Sequence, residues 1–182
     1  MTNKWLLLPD NLCSCGEARL GFDPIVSSHF HVIEYGKMRE GESVGVSIYS
    51  SKSAAWIFKE SKWGDGIIVS TYARSVFLNG FMHWLEFSQI VAVDMDKKTW
   101  MKIQKPRGDA ISIHEAQGQL CLCTVDIYTM TQLLIWILED YGSNRWTLKH
   151  MVTTLEIFGQ NNIEFGYEVC NADYRVIAVH SE

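Results

Sequence analysis

A tryptophan returns four times along this chain, at Trp5, Trp56, Trp100 and Trp146, and each time it opens an apolar stretch behind a polar turn. The separations are 51, 44 and 46 residues (5 to 56, 56 to 100, 100 to 146). Ahead of three of them lies another apolar run: Val44 to Ser50, Ile90 to Asp94 and Leu133 to Leu138. The unit is therefore strand, polar turn, strand opening with Trp. A period of about 40–50 residues with four strands per unit is the pattern of β-propeller blades. The alternative is a β-sandwich in which Trp recurs by chance.

The intervals supply the other two strands of each unit. Ser75 to Leu85 holds Asn79-Gly80 between apolar residues, a strong hairpin signal because a type I′ turn needs positive φ at both central residues. Ala110 to His114, Gln117-Gly118 and Gln119 to Val125 form a second hairpin in the same slot. Phe165 to Val169, Asn171-Ala172-Asp173 and Arg175 to His180 form a third. One stretch points two ways: Met130, Leu133, Leu134, Ile137 and Leu138 are spaced as on a helix face. Its alignment with Val44–Ser50 and Ile90–Asp94 favours a strand. The expectation is an all-β chain, 1–182 as one region. It contains about three full four-stranded blades near 20–60, 75–104 and 110–150, with partial blades at both ends, from Thr2 to Leu8 and over 163–182. Trp5, Trp56, Trp100 and Trp146 are then structural residues that fill space between sheets.

With 47% hydrophobic and 12% aromatic residues over 182 positions, the chain can bury a core and is not disordered. A net charge of −5 without a basic run argues against nucleic acid as a partner. The apolar run near the N-terminus stops at Pro9, too short for a secretory signal or a membrane span. A cytoplasmic or nuclear protein with no membrane partner is expected. Five cysteines, an odd number, argue against a disulfide framework. Cys121 and Cys123 alternate on one strand and share a face, as buried thiols or, with Cys13 and Cys15, as zinc ligands. Both pairs have C-x-C rather than the usual zinc spacing, so no metal or cofactor is expected.

No nucleophile-elbow, metalloprotease or phosphate-loop motif accompanies the six histidines, and the chain reads as no enzyme. Glu139-Asp140 beside Gly142 reads as turn polarity. Binding then falls to loops. The segment 60–66 leading to 71–74 carries Trp63, Tyr72 and Arg74, residue types enriched at interface hot spots, although Trp63 packing over a blade edge is the plainer reading. His29 and Phe30 form a second candidate.

Leu20-Gly21-Phe22-Asp23-Pro24 followed by Ser27-Ser28-His29-Phe30-His31-Val32 resembles the opening signature of plant F-box-associated domains. Val46 to Ser51, Phe77 to Trp84, Val93-Asp94 with Lys98-Thr99-Trp100, Gln117 to Leu120 and Ile135 to His150 resemble its later motifs, in family order over about 20–180. The resemblance implies a kelch-like propeller that recruits a target protein for ubiquitination. In that family an F-box docks to a Skp-type adaptor and cullin. This sequence shows no F-box, and it opens and closes within a blade, so the chain reads as a fragment or a shortened form. A stand-alone binding module without ligase docking stays open as the alternative.

Overall fold

The structure, a computed structural model, describes residues 5–11, 13, 14, 18–38, 44–60, 74–86, 88–96, 99–126, 128 and 131–159. Two compact units divide the chain, 1–71 and 72–182.

The first unit is one antiparallel sheet. Its strands are β1 (Cys13–Ser14), β2 (Ala18–Gly21), β3 (His31–Met38), β4 (Val44–Ser50) and β5 (Ala55–Glu60). β1 and β2 both pair with β3, β1 at its end and β2 at its start; β4 and β5 follow on the other side. Ile33, Val46 and Ile48 are buried, on alternate positions that share a face through the Ile33–Ile48 pairing. The opposite face carries Tyr49 against Trp56, with ring centroids 5.5 Å apart. Gly45 lies where β4 and β5 approach closely: a Cβ there would meet the Lys59 carbonyl oxygen at 2.2 Å.

Trp5 to Leu8 was expected to be a core strand, and the structure corrects this. Residues 5–11 form no strand, and Trp5 is 96% exposed. A Trp is buried in this repeat only when its strand is laid on a neighbour, and no described strand pairs with 5–8. Pro9 also removes one backbone donor and biases Leu8 toward extended backbone. The repeat nevertheless leaves a mark here. The Trp56 indole Nε1–H donates to the carbonyl of Pro9 at 2.7 Å, and that of Trp146 donates to Gln104 at 2.8 Å. Pro9 stands four residues after Trp5, as Gln104 stands four after Trp100. Segment 5–9 thus meets Trp56 as segment 100–104 meets Trp146.

The second unit holds two four-stranded antiparallel sheets. One has the order β6 (Ser75–Leu78), β7 (Phe81–Leu85), β8 (Gln89–Asp94), β9 (Trp100–Gln104). The other runs β10 (Asp109–Ala116), β11 (Gln119–Val125), β12 (Gln132–Asp140), β13 (Arg145–Thr153). The β6–β7 turn has Asn79 and Gly80 at φ 52° and 79°, and the β10–β11 turn has Gln117 and Gly118 at 51° and 73°. Both are the positive-φ pairs that a two-residue hairpin demands. The stretch with helical spacing is strand β12, since Cys121 to Val125 on one side and β13 on the other satisfy its backbone. Pairing in the sheet overrides the local period.

Leu78, Ile90, Ala92 and Ile103 of the first of these sheets pack against Ile113, Leu120, Leu122 and Leu138 of the second, with Trp136 and Trp146 at the margin. Each fully buried Leu or Ile contributes roughly 1.5–3 kcal/mol. A buried histidine makes a polar contact across this core. His83 is fully buried, with Nδ1 3.3 Å from the Val76 carbonyl and Nε2 3.1 Å from the Tyr141 hydroxyl. A carbonyl only accepts, so Nδ1 carries the proton and Nε2 accepts from Tyr141. A short helix, α1 (Thr154–Phe158), closes the described chain. Thr153 and Glu156 cap it reciprocally, and Phe158 packs on a cluster of Ile111, Cys123, Val125 and Leu133.

The β4–β5 and β12–β13 turns are built alike. Ala54 and Asn144, each two residues before the repeat Trp, both have φ 52°. Asn tolerates that left-handed conformation; Ala does not. Replacing Ala54 with Gly is therefore expected to stabilise the first unit by about 1 kcal/mol, read as a raised urea midpoint. The three antiparallel sheets fit a β-propeller-like fold.

Candidate functional site

The structure draws attention to the loop between β2 and β3, where the sequence signature Phe22-Asp23-Pro24 sets the geometry. Pro24 follows Asp23 at the position where its fixed φ favours a turn. The Asp23 side-chain Oδ1 accepts from the Ile25 N–H at 2.9 Å. Its carbonyl accepts from the Val26 and Ser27 N–H groups at 3.2 and 2.9 Å. The Ser27 hydroxyl then accepts from the His29 N–H at 3.0 Å.

The far end of the loop is anchored. The Phe30 N–H donates to the Ser51 hydroxyl at 2.8 Å, and the Ser51 N–H donates back to the Phe30 carbonyl at 3.0 Å. The Phe30 ring lies 6.2 Å from Tyr49, which contacts Trp56 in turn. Between these fixed ends the loop holds Ile25 at 95% and Val26 at 76% exposure, with Leu20 and Phe22 exposed at its start. Scattered apolar residues are ordinary on a surface, but two adjacent aliphatic side chains on a turn tied by its own hydrogen bonds are a preformed hydrophobic tip.

The predicted residues divide as follows. Phe30 is the half-buried anchor, and His29 is exposed beside it. The residues that present an apolar surface, Ile25 and Val26, are ones the sequence reading passed over. Their signal was the Asp-Pro turn, which forces the following side chains outward. Trp63 and Tyr72 lie outside the described residues. Arg74 belongs to the second unit, half-buried just ahead of β6, where its carbonyl accepts from Leu85. His29 and Phe30 belong to the first unit. Trp56, Trp100 and Trp146 are half-buried near the starts of their strands.

The charge of Arg74 acts on another group of polar side chains. Ser112 pairs across the ladder with Cys123, and His114 with Cys121, so the four share one face of the sheet. A hydrogen bond between the thiols holds Cys123 below the usual range, aided by Ser112 and Arg74, while the same bond and burial raise Cys121. Burial and the nearby Arg74 charge lower His114. Both thiols are free and buried. Among the described residues no group of three or more His, Cys, Asp or Glu is placed to hold a metal. Cys15 and the side chain of Cys13 lie outside the described residues.

Three antiparallel sheets, each built of hairpins, with a structured apolar loop on one of them, fit a propeller-like fold. The chain is 29% identical over 157 residues to an F-box/kelch-repeat protein of Arabidopsis thaliana, an alignment covering 78% of this chain. It spans 35% of that relative's length. No family model matches the sequence. No helix among the described residues is long and apolar enough to cross a membrane.

Proposed function

We propose that this chain is a non-catalytic protein-recognition module, and that it serves as the target-binding part of an SCF-type ubiquitin ligase receptor. The observation that carries the reading is the preformed tip at Ile25 and Val26. Its bonds at Asp23, Ser27 and Phe30 fix the backbone before a partner arrives, which lowers the ordering cost of binding. The similarity to an F-box/kelch-repeat protein supports the ligase assignment. In such a ligase the F-box would bring the Skp-type adaptor and cullin, and this chain would bring the target, in the cytoplasm or nucleus.

The test is reconstitution. Proteins captured by this chain from plant-cell extract are offered to a ligase assembled on the chain fused behind an F-box. The proposal expects them to be ubiquitinated, and expects Ile25→Asp with Val26→Asp to reduce capture about tenfold or more without shifting Tm. Captured proteins that the fusion never modifies would leave a stand-alone binding module as the better account. Capture unaffected by the double substitution would remove the loop from the site.

A further inference from the structure

Segment 5–9 meets Trp56 as segment 100–104 meets Trp146, and in one respect the likeness fails. Segment 100–104 is β9, paired along its length with β8, whereas no described strand lies beside 5–8. The segment is nevertheless fixed at its far end. The Pro9 carbonyl accepts from the Trp56 indole. The side-chain amide of Asn11 donates to the Glu34 carboxylate, and its oxygen accepts from the Ser47 hydroxyl. Pro9 and Asn11 are thus tied to β5, β3 and β4. What the segment presents is apolar: Trp5 is 96%, Leu6 62% and Leu7 95% exposed.

The three complete repeats show what lies beside such a segment. β5, β9 and β13 each pair antiparallel with the strand before them, β4, β8 and β12. The residues facing Trp56, Trp100 and Trp146 are Tyr49, Val93 and Leu138. The residues facing Ile57, Met101 and Thr147, one step further on, are Ile48, Ala92 and Ile137. In every case two consecutive apolar residues of an extended strand face the Trp and the residue after it. Such cross-strand pairs, with the ladder bonds between them, are the unit that stabilises a sheet. Segment 5–8 has the Trp and three leucines without the ladder, and an unpaired edge is a template for another strand.

We propose that segment 5–8 takes up an extended apolar strand of a partner protein, which pairs with it antiparallel and sets two consecutive apolar residues against Leu6 and Trp5. Main-chain bonds supply the affinity, and the two side chains supply the selectivity. A second copy of this chain is the poorer occupant. Its β4, β8 and β12 are each paired on both sides, so none is free to be lent. Its own segment 5–8 offers a ladder too short to bury the roughly 1,200 Å² of a stable dimer. The surface uses no residue of the loop at Ile25 and Val26, so either site can fail without the other.

Fluorescence anisotropy on the full chain tests this. The probe is a labelled peptide with the sequence of residues 44–50, a strand that covers a repeat Trp. Two further peptides are methylated on alternate backbone nitrogens, one along each edge of the strand. Strand addition uses one edge, so one methylated form is expected to bind at least about tenfold more weakly, and the other within about twofold of the probe. Trp5→Asp with Leu7→Asp is expected to weaken the probe about tenfold. Both side chains are almost wholly exposed, so the fold stays intact. Equal binding of the two methylated forms, or probe affinity within about twofold in the substituted chain, would overturn the proposal. Failure of the probe to bind at about millimolar concentration would do the same. A chain that sediments as a dimer, and as a monomer after the double substitution, would give the surface to a second copy instead.

Discussion

Gly45→Ala is expected to destabilise the first unit by about 3 kcal/mol or more, enough to unfold a marginal sheet. The added Cβ would lie 2.2 Å from the Lys59 carbonyl oxygen and 2.9 Å from the Glu60 Cα. Both are backbone atoms of β5, so relief requires parting the β4–β5 ladder rather than turning a side chain. That ladder runs from Gly45–Glu60 to Ser50–Ala55, and Ser51 directly beyond it anchors Phe30. The effect therefore propagates from a strand glycine to the candidate loop. Urea unfolding of the substituted chain should show an early transition, with partner capture lost in parallel. An unshifted midpoint would mean that the two strands do not approach this closely.

Acid should weaken the second unit through His83. Burial drives its pKa down from 6.5 to about 4, against the opposing pull of the Val76 and Phe81 backbone. The unfolded chain takes up this proton below pH 6.5, and the folded chain resists until about pH 4. Stability that is present above pH 6.5 is thus lost as the pH falls toward 4, at about 1.4 kcal/mol per pH unit and about 3 kcal/mol in all. Chemical unfolding at the two ends of that window measures it. In His83→Gln the baseline should be lower and this component of the pH slope absent. A slope unchanged by that substitution would assign the acid sensitivity to other groups. Tyr141→Phe should cost about 1–2 kcal/mol above pH 6.5 and reduce the acid-dependent loss by a similar amount, because only the neutral ring, whose Nε2 accepts, loses a partner.

The strand plan was legible because two signals agreed. The recurring Trp fixed the repeat, and the Asn79-Gly80 and Gln117-Gly118 dipeptides fixed the hairpins, whose positive φ values follow from chemistry local to the chain. Where only one signal was present, the reading was weaker. Trp5 repeated the sequence pattern without a paired strand to bury it, because burial of a Trp is a property of the sheet and not of the residue. Helix α1 was overlooked although Thr153 and Glu156 stand at capping-box spacing and Gly159 closes it. The candidate loop was half legible. His29 and Phe30 marked its end, but the side chains that face solvent are Ile25 and Val26, and apolar residues are ordinarily assigned to the core.

The most direct measurement is site-specific photo-cross-linking in cell extract, with a photoreactive residue at position 26 and, as a control, at the exposed position 115. The account predicts a discrete adduct at 26 with the protein that the unmodified chain captures, and none at 115. Capture of that protein with no adduct at 26, or with equal adducts at both positions, would contradict recognition through the loop between β2 and β3.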